Sequence, residues 1–201
     1  MVDVGEVSIL VIEPHQLGRR LLREIIVSLK IGHVLTVPTL EAGLLILAKQ
    51  PFDVVFSDWS EATDAIALVR IIRSPDSHNP FIPVVVMTAY GDFDHIRAAR
   101  DVGVTEYMLK PFPPQVVASR LRSVVQHPRP FVHSGSYFGP DRRRHQAEWT
   151  RAERRRDTRY VERRFHAELH SGPDRRHLPG RLPVRPLPAD WGKETDVGTP
   201  S

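Results

Sequence analysis

The chain has 201 residues, 28 Lys/Arg against 24 Asp/Glu, no cysteine and 18 prolines. Without cysteine there is no disulfide framework, and no apolar stretch approaches the roughly 20 residues that cross a bilayer as a helix. Residues 1–6 lack the basic start and apolar core of a secretory leader, so a cytoplasmic chain without a membrane span is expected.

Charge and proline divide the sequence near His127. Residues 1–127 carry 12 Lys/Arg and 14 Asp/Glu, whereas residues 128–201 carry 16 and 10 and hold half of the prolines. Few aliphatics lie in that second segment, too few to offset the entropy of ordering its backbone. The expected organisation is a domain over 1–127 followed by a basic Pro/Arg-rich extension over 128–201, mostly disordered. A segment of this first length can bury a full core.

The first 127 residues alternate short apolar runs with helical patterns. Residues 7–12 form a nearly continuous apolar run, and Leu17, Leu21, Leu22, Ile25, Ile26 and Leu29 follow at helical spacing. A second run, 33–37, leads into a helix over 39–49 that Thr39 caps. The third run, 52–57, precedes a helix over 62–73, stopped by Ser74-Pro75-Asp76. The fourth, 82–87, is followed by a polar helix over 92–101 and Gly103. The fifth, 105–109, passes through Lys110-Pro111 into a helix over 113–126 with Val116, Val117, Leu121, Val124 and Val125 as its stripe. Aliphatic strands separated by helices predict a doubly wound α/β fold, a five-stranded parallel sheet covered on both faces.

Four polar residues end strand-like runs: Glu13, Asp58, Thr88 and Lys110. On a parallel sheet these ends share one edge, where open α/β sheets place their ligand sites. A carboxylate, a hydroxyl and an ammonium then meet in one crevice. Singly, each has an ordinary explanation, as a helix cap or turn former of the kind expected for Asp53 and Asp64, or as a surface charge. Their recurrence at matched strand ends favours a site.

Asp58-Trp59, Met87-Thr88-Ala89 and Tyr107-Met108-Leu109-Lys110-Pro111-Phe112 resemble the signature segments of the receiver domain of two-component response regulators. Val11-Ile12-Glu13-Pro14, with Arg19-Arg20 beyond it, resembles that family's opening segment. The resemblance covers residues 7–127 and rests on the joint order and spacing of the segments. It implies the flavodoxin-like strand order 2-1-3-4-5, as in CheY-like proteins.

It also implies a chemistry. Asp58 is the phosphoacceptor that takes a phosphoryl group from a sensor histidine kinase or phosphotransfer protein. Lys110 and Thr88 contact that group, Thr88 and Tyr107 are the switch residues, and Glu13, Asp58 and the backbone carbonyl of Ser60 hold Mg²⁺. The surface of helix 4, strand 5 and helix 5 then meets a downstream protein. Such a chain is a signalling module and not an enzyme, beyond self-catalysed phosphotransfer and dephosphorylation. The Lys110-Pro111 bond is commonly cis in the family. Two departures stand out: Pro14 replaces an expected acidic ligand, which weakens Mg²⁺ binding, and the 58–65 loop is one residue short, with Ala65 in place of glycine. Glu61 in that loop is a further candidate carboxylate.

The extension repeats a motif, Gly139-Pro140-Asp141-Arg142-Arg143-Arg144-His145 and Gly172-Pro173-Asp174-Arg175-Arg176-His177. Between the copies, residues 147–169 have a charged helical pattern with Val161, Phe165 and Leu169 along one edge. His166 and His170 sit at metal-compatible helical spacing but lack a third ligand, which argues against zinc. Three functions follow: a phosphorylation-controlled interaction module, a pseudo-receiver scaffold that binds without phosphorylation, and a tail-driven binder of nucleic acid or an anionic surface. The first is favoured, because acids interrupt the basic tail and no nucleic-acid-binding fold is evident.

Overall fold

A computed structural model of the protein describes residues 7–142 and the strand Thr158–Val161. In chain order its elements are β1 (Ser8–Ile12), α1 (Gln16–Ser28), β2 (His33–Val37), α2 (Leu40–Leu47), β3 (Val54–Trp59), α3 (Ala65–Arg73), β4 (Val84–Thr88), α4 (Phe93–Val102), β5 (Glu106–Leu109), α5 (Pro114–Gln126), β6 (Phe131–Ser134), β7 (Tyr137–Pro140) and β8 (Thr158–Val161). The first five strands form one parallel sheet in the order β2-β1-β3-β4-β5. This is the doubly wound architecture expected.

Alternation along each strand sends neighbouring side chains to opposite faces. Ile9 and Val11 of β1 pack beneath α1 and α5 with Phe56, Met87, Leu121 and Val125. Leu10 and Ile12 pack on the other face with Val55, Val86, Leu68 and Val69. Both faces are buried, so the inner strands need no polar alternation. The apolar side of α1 centres on Leu22, Ile25 and Ile26, while Leu17 stays 78% exposed and Leu21 55%. Leu21 lies about 100° around the helix from Leu22, which carries it off the sheet-facing side.

Local hydrogen bonds set the helix starts. Thr39 caps α2 by accepting from the Ala42 N–H at 3.2 Å. Asp64 accepts from the N–H groups of Ile66 and Ala67, so α3 begins at Ala65 and not at 62. Residues 60–63 instead form a turn closed by reciprocal Ser60–Thr63 backbone bonds of 3.1 and 3.2 Å. Asp53 caps no helix; its carboxylate takes the backbone N–H and hydroxyl of Ser8, both at 2.8 Å, and fastens β3 to the start of β1.

Structure continues past His127, which corrects the expected boundary. β6 and β7 form an antiparallel hairpin around the two-residue turn Gly135-Ser136, with Gly135 at φ +57°. Phe131, 1% exposed, meets Phe81 and Phe138 with ring centroids 5.1 and 5.6 Å apart. Its ring also covers the buried guanidinium of Arg73, at 5.0 Å, whose nitrogens donate to the carbonyls of Gly103, Pro80 and Ile82. The first motif copy makes this docking close. A Cβ on Gly139 would stand 2.9 Å from the Gly103 Cα, and Arg142 reaches the Asp101 carbonyl at 3.1 Å and carboxylate at 3.3 Å. Composition averaged over the whole extension conceals a hairpin anchored by two phenylalanines.

β8 pairs antiparallel with β6, giving a second sheet in the order β7-β6-β8. It falls inside the 147–169 segment read as helical. At those four residues bonding to β6 replaces a helical ladder. The rest of that segment, the second motif copy, and His166 and His170 lie outside the described residues, as does most of the extension expected to be disordered. Among the described residues no helix is long and apolar enough to cross a membrane.

Because Phe131 covers a buried charge and fills the pole beneath β4, Phe131→Ala should lower the unfolding free energy by about 3–5 kcal/mol in urea denaturation. An unchanged midpoint and slope would mean that the hairpin merely rests on the surface.

Candidate phosphoryl site at the C-terminal sheet edge

Glu13, Asp58, Thr88 and Lys110 follow or end β1, β3, β4 and β5, so parallel pairing delivers them to one edge. Lys110 Nζ donates to Glu13 Oε2 and Asp58 Oδ1, both at 2.6 Å. The two carboxylates are only 3% and 2% exposed. Each needs a cation, because an unpaired buried charge is expensive.

The remaining carboxylate oxygens are also engaged. Glu13 Oε1 accepts the His15 N–H at 3.1 Å and lies 3.1 Å from His15 Nδ1. Asp58 Oδ2 accepts the Ser60 hydroxyl at 2.5 Å. Gly18 gives the Glu13 side chain its space, since a Cβ there would come within 3.1 Å of it. Arg19 donates to the carbonyls of Glu13 and Pro14, both at 2.7 Å, and holds the turn that presents Glu13.

Burial works against ionisation of Glu13, but Lys110 and the His15 N–H outweigh it and hold the carboxyl below its ordinary range. Burial likewise works against the Lys110 ammonium, and the bonds to Asp58 and Glu13 reverse the effect and raise its pKa.

Thr88 is fully buried, and its Oγ1 accepts the Tyr90 N–H at 3.1 Å. Its carbonyl accepts the Lys110 N–H at 2.7 Å, tying the ends of β4 and β5 together. Register sets Thr88 beside Trp59, one residue beyond Asp58. Tyr107 donates its hydroxyl to the Tyr90 carbonyl. Burial raises its phenol pKa, and Asp92 adds to the shift. The Lys110–Pro111 bond is cis.

Ser60, expected to contribute its carbonyl, also touches Asp58 through its hydroxyl. His15, Tyr90 and His95 carry no distinguishing pattern in the residue order, because their contacts depend on turn geometry. Glu61 is exposed and does not join Glu13 and Asp58 as a third acid.

The donor set suits a hard divalent cation. Two buried carboxylates converge on the Lys110 ammonium, and Mg²⁺ needs only one or two carboxylates, with water completing its octahedron. The Ser60 carbonyl already accepts from Thr63 and retains a second lone pair. Pro14 adds no side-chain oxygen.

The family described as response regulator receiver domain matches residues 9–122. The chain is 31% identical over 93 residues to the phosphate regulon transcriptional regulatory protein PhoB of Pseudomonas aeruginosa, covering 46% of this chain and 40% of PhoB. It spans 17% of the response regulator FleR from the same organism, at 37% identity over 83 residues and 40% of this chain. Against the chemotaxis protein CheY of P. aeruginosa it is 26% identical over 120 residues, 59% of this chain and 96% of CheY. Among solved structures, CheY4 of Vibrio cholerae shares the fold with a TM-score of 0.53 and 21% identity, covering 59% of this chain and 98% of CheY4. The receiver domain of the P. aeruginosa sensor histidine kinase PA1611, which has magnesium coordinated in its active-site cleft, gives 0.52 and 20%, with coverages of 58% and 94%.

The pKa directions set a pH dependence. Glu13, lowered on folding, stabilises the fold above the ordinary carboxylate range, and that contribution disappears as pH falls through its folded value. Lys110, raised on folding, stabilises it below the ordinary lysine range, and that contribution disappears as pH rises through its folded value. Urea unfolding of Lys110→Met should therefore show a shallower loss of stability than the parent below about pH 4 and above about pH 10. Parallel pH profiles for the two proteins would contradict this pairing.

Proposed function

The chain belongs to the response regulator receiver domain family, the phosphoacceptor module of two-component signalling, and on that premise we propose that Asp58 accepts a phosphoryl group and thereby changes a protein-interaction surface. The observation that carries this is the convergence of Asp58, Glu13, Lys110 and Thr88 on one sheet edge. An Asp58 carboxylate oxygen attacks phosphorus in line while the donor's P–N bond breaks, or the P–O bond of acetyl phosphate. The products are an acyl phosphate on Asp58 and the released imidazole or acetate.

Lys110 stands within hydrogen-bond reach of the nucleophile and meets the charge that gathers on the phosphoryl oxygens. Thr88, whose oxygen accepts the Tyr90 N–H before phosphorylation, offers its hydroxyl proton to the same group. Glu13, Asp58 and the Ser60 carbonyl would hold Mg²⁺, which supplies further neutralisation of phosphoryl charge. With Pro14 in place of a third acid, weak binding of the ion is expected.

The output surface in this proposal is the α4–β5–α5 face, read by a downstream protein, with a sensor kinase or phosphotransfer protein as donor in the cytoplasm. Phe93, Ile96 and Leu109 are exposed there. Below them a cavity of about 130 Å³ is lined by Ile96, Tyr107, Tyr137 and Arg142. The hairpin therefore adds its own residues to the foot of this face. A constitutive scaffold is the second reading, favoured by Pro14 and by the full engagement of both Asp58 oxygens.

Acetyl phosphate with Mg²⁺ should label Asp58, as read by Phos-tag gels and mass spectrometry, and Asp58→Asn should take no label. Lys110→Ala should slow labelling by about 100-fold, the loss expected for one charge-stabilising donor. Absence of label in the parent at saturating Mg²⁺ would favour the scaffold, and label persisting in Asp58→Asn would remove the assignment.

A further inference from the structure

Three rings at the mouth of the site form a unit that phosphoryl transfer itself does not use. Trp59 follows Asp58 at the end of β3, Tyr90 lies between β4 and α4, and His95 lies in the first turn of α4. Tyr90 and His95 are stacked, with centroids 4.4 Å and planes 20° apart. Trp59 closes against both, at 5.7 Å from Tyr90 and 5.1 Å from His95. Asp92, the N-cap of α4, fixes the imidazole. Its Oδ2 lies 2.6 Å from His95 Nδ1, and its Oδ1 accepts the His95 N–H at 3.1 Å.

Both backbone polar groups of Tyr90 serve the site. Its N–H donates to Thr88 Oγ1, and its carbonyl accepts from the Tyr107 hydroxyl. Whatever holds the Tyr90 ring thus holds the resting positions of Thr88 and Tyr107. The His95 side chain is 39% exposed, so burial alone does not account for a ring fixed by stacking on one side and a carboxylate on the other.

We propose that His95 is a positioning residue for the phosphoryl switch, clamping Tyr90 so that Thr88 and Tyr107 stay in the unphosphorylated arrangement. The proposal rests on the phosphoacceptor reading of Asp58. A phosphoryl group on Asp58 draws the Thr88 hydroxyl toward it and away from the Tyr90 N–H. The turn carrying Tyr90 must then shift, and the stack opposes that shift. His95 contacts neither the phosphoryl donor nor Asp58; it acts through Tyr90.

The test uses the full chain and two readouts. In ¹³C-tyrosine NMR without any phosphodonor, with the Tyr107 ring signal assigned by its loss in Tyr107→Phe, His95→Ala should displace that signal. His95→Phe retains a ring on Tyr90 and should keep the parent signal, whereas His95→Gln retains a donor for Asp92 but no ring and should behave like His95→Ala. At sub-saturating acetyl phosphate, His95→Ala should label Asp58 at least about fivefold faster than the parent, the lower end of typical coupling between sites. His95→Phe should return the parent rate. An unmoved Tyr107 signal in folded His95→Ala or His95→Gln overturns the proposal, as does a His95→Phe that matches His95→Ala. Labelling of His95→Ala at the parent rate also overturns it. A parent that takes no label overturns the phosphoacceptor reading instead, and the NMR comparison still decides whether His95 positions Tyr107.

Discussion

The ammonium of Lys110, held between the carboxylates of Glu13 and Asp58, is the interaction on which the upper edge of this molecule depends. Two nearly buried carboxylates on neighbouring strands repel one another, and removing both from water is costly. One cation shared between them offsets that cost only if β1, β3 and β5 end at the same level. The parallel sheet provides this, because its order puts β1 beside β3 and carries β5 one strand beyond β4. The Thr88 carbonyl then receives the Lys110 N–H, so the strand that presents the cation is tied to the strand that presents the hydroxyl.

The same strand is braced at its other end. Glu106 opens β5 and accepts from Ser123 at 3.0 Å, Arg129 at 3.1 Å and Arg120 at 3.3 Å, joining the strand to α5 and to the segment leading into the hairpin. Tyr107 is the next residue, so the ring beneath the β4–α4 turn sits between a fixed anchor and the shared ammonium. The hairpin completes the lower pole by covering Arg73, whose guanidinium donates to the carbonyls of Pro80 and Ile82. Site and extension therefore meet through one short edge strand.

Much of this was legible in the residue order. Continuous aliphatic runs at β1, β3 and β4, helical stripes such as Val117–Leu121–Val124, and a polar residue at each strand end identify a parallel sheet and its functional edge. Local chemistry was legible too where it depends on near neighbours, as in the Thr39 cap. Asp64 shows the limit of such patterns: the apolar stripe of α3 is visible, but the cap starts the helix three residues later than periodicity suggests. Leu17 and Leu21 show another, since helical spacing identifies a stripe without saying how far the sheet reaches beneath it.

By itself the sequence determined the strand-and-helix alternation, the two-sided core and which ionisable groups gather at the C-terminal edge, because hydrophobic period and strand-end position are properties of neighbouring residues. Tertiary structure decided the rest: that Lys110 binds Glu13 as well as Asp58, that Ser60 contributes its hydroxyl, that Glu61 stays outside, and that His95 stacks on Tyr90. It also decided that residues 131–140 fold against the domain. These outcomes depend on turn directions and on contacts between segments tens of residues apart, such as Phe81 with Phe131 and Gly103 with Gly139. Neither periodicity nor composition encodes the direction in which such a turn points its side chains.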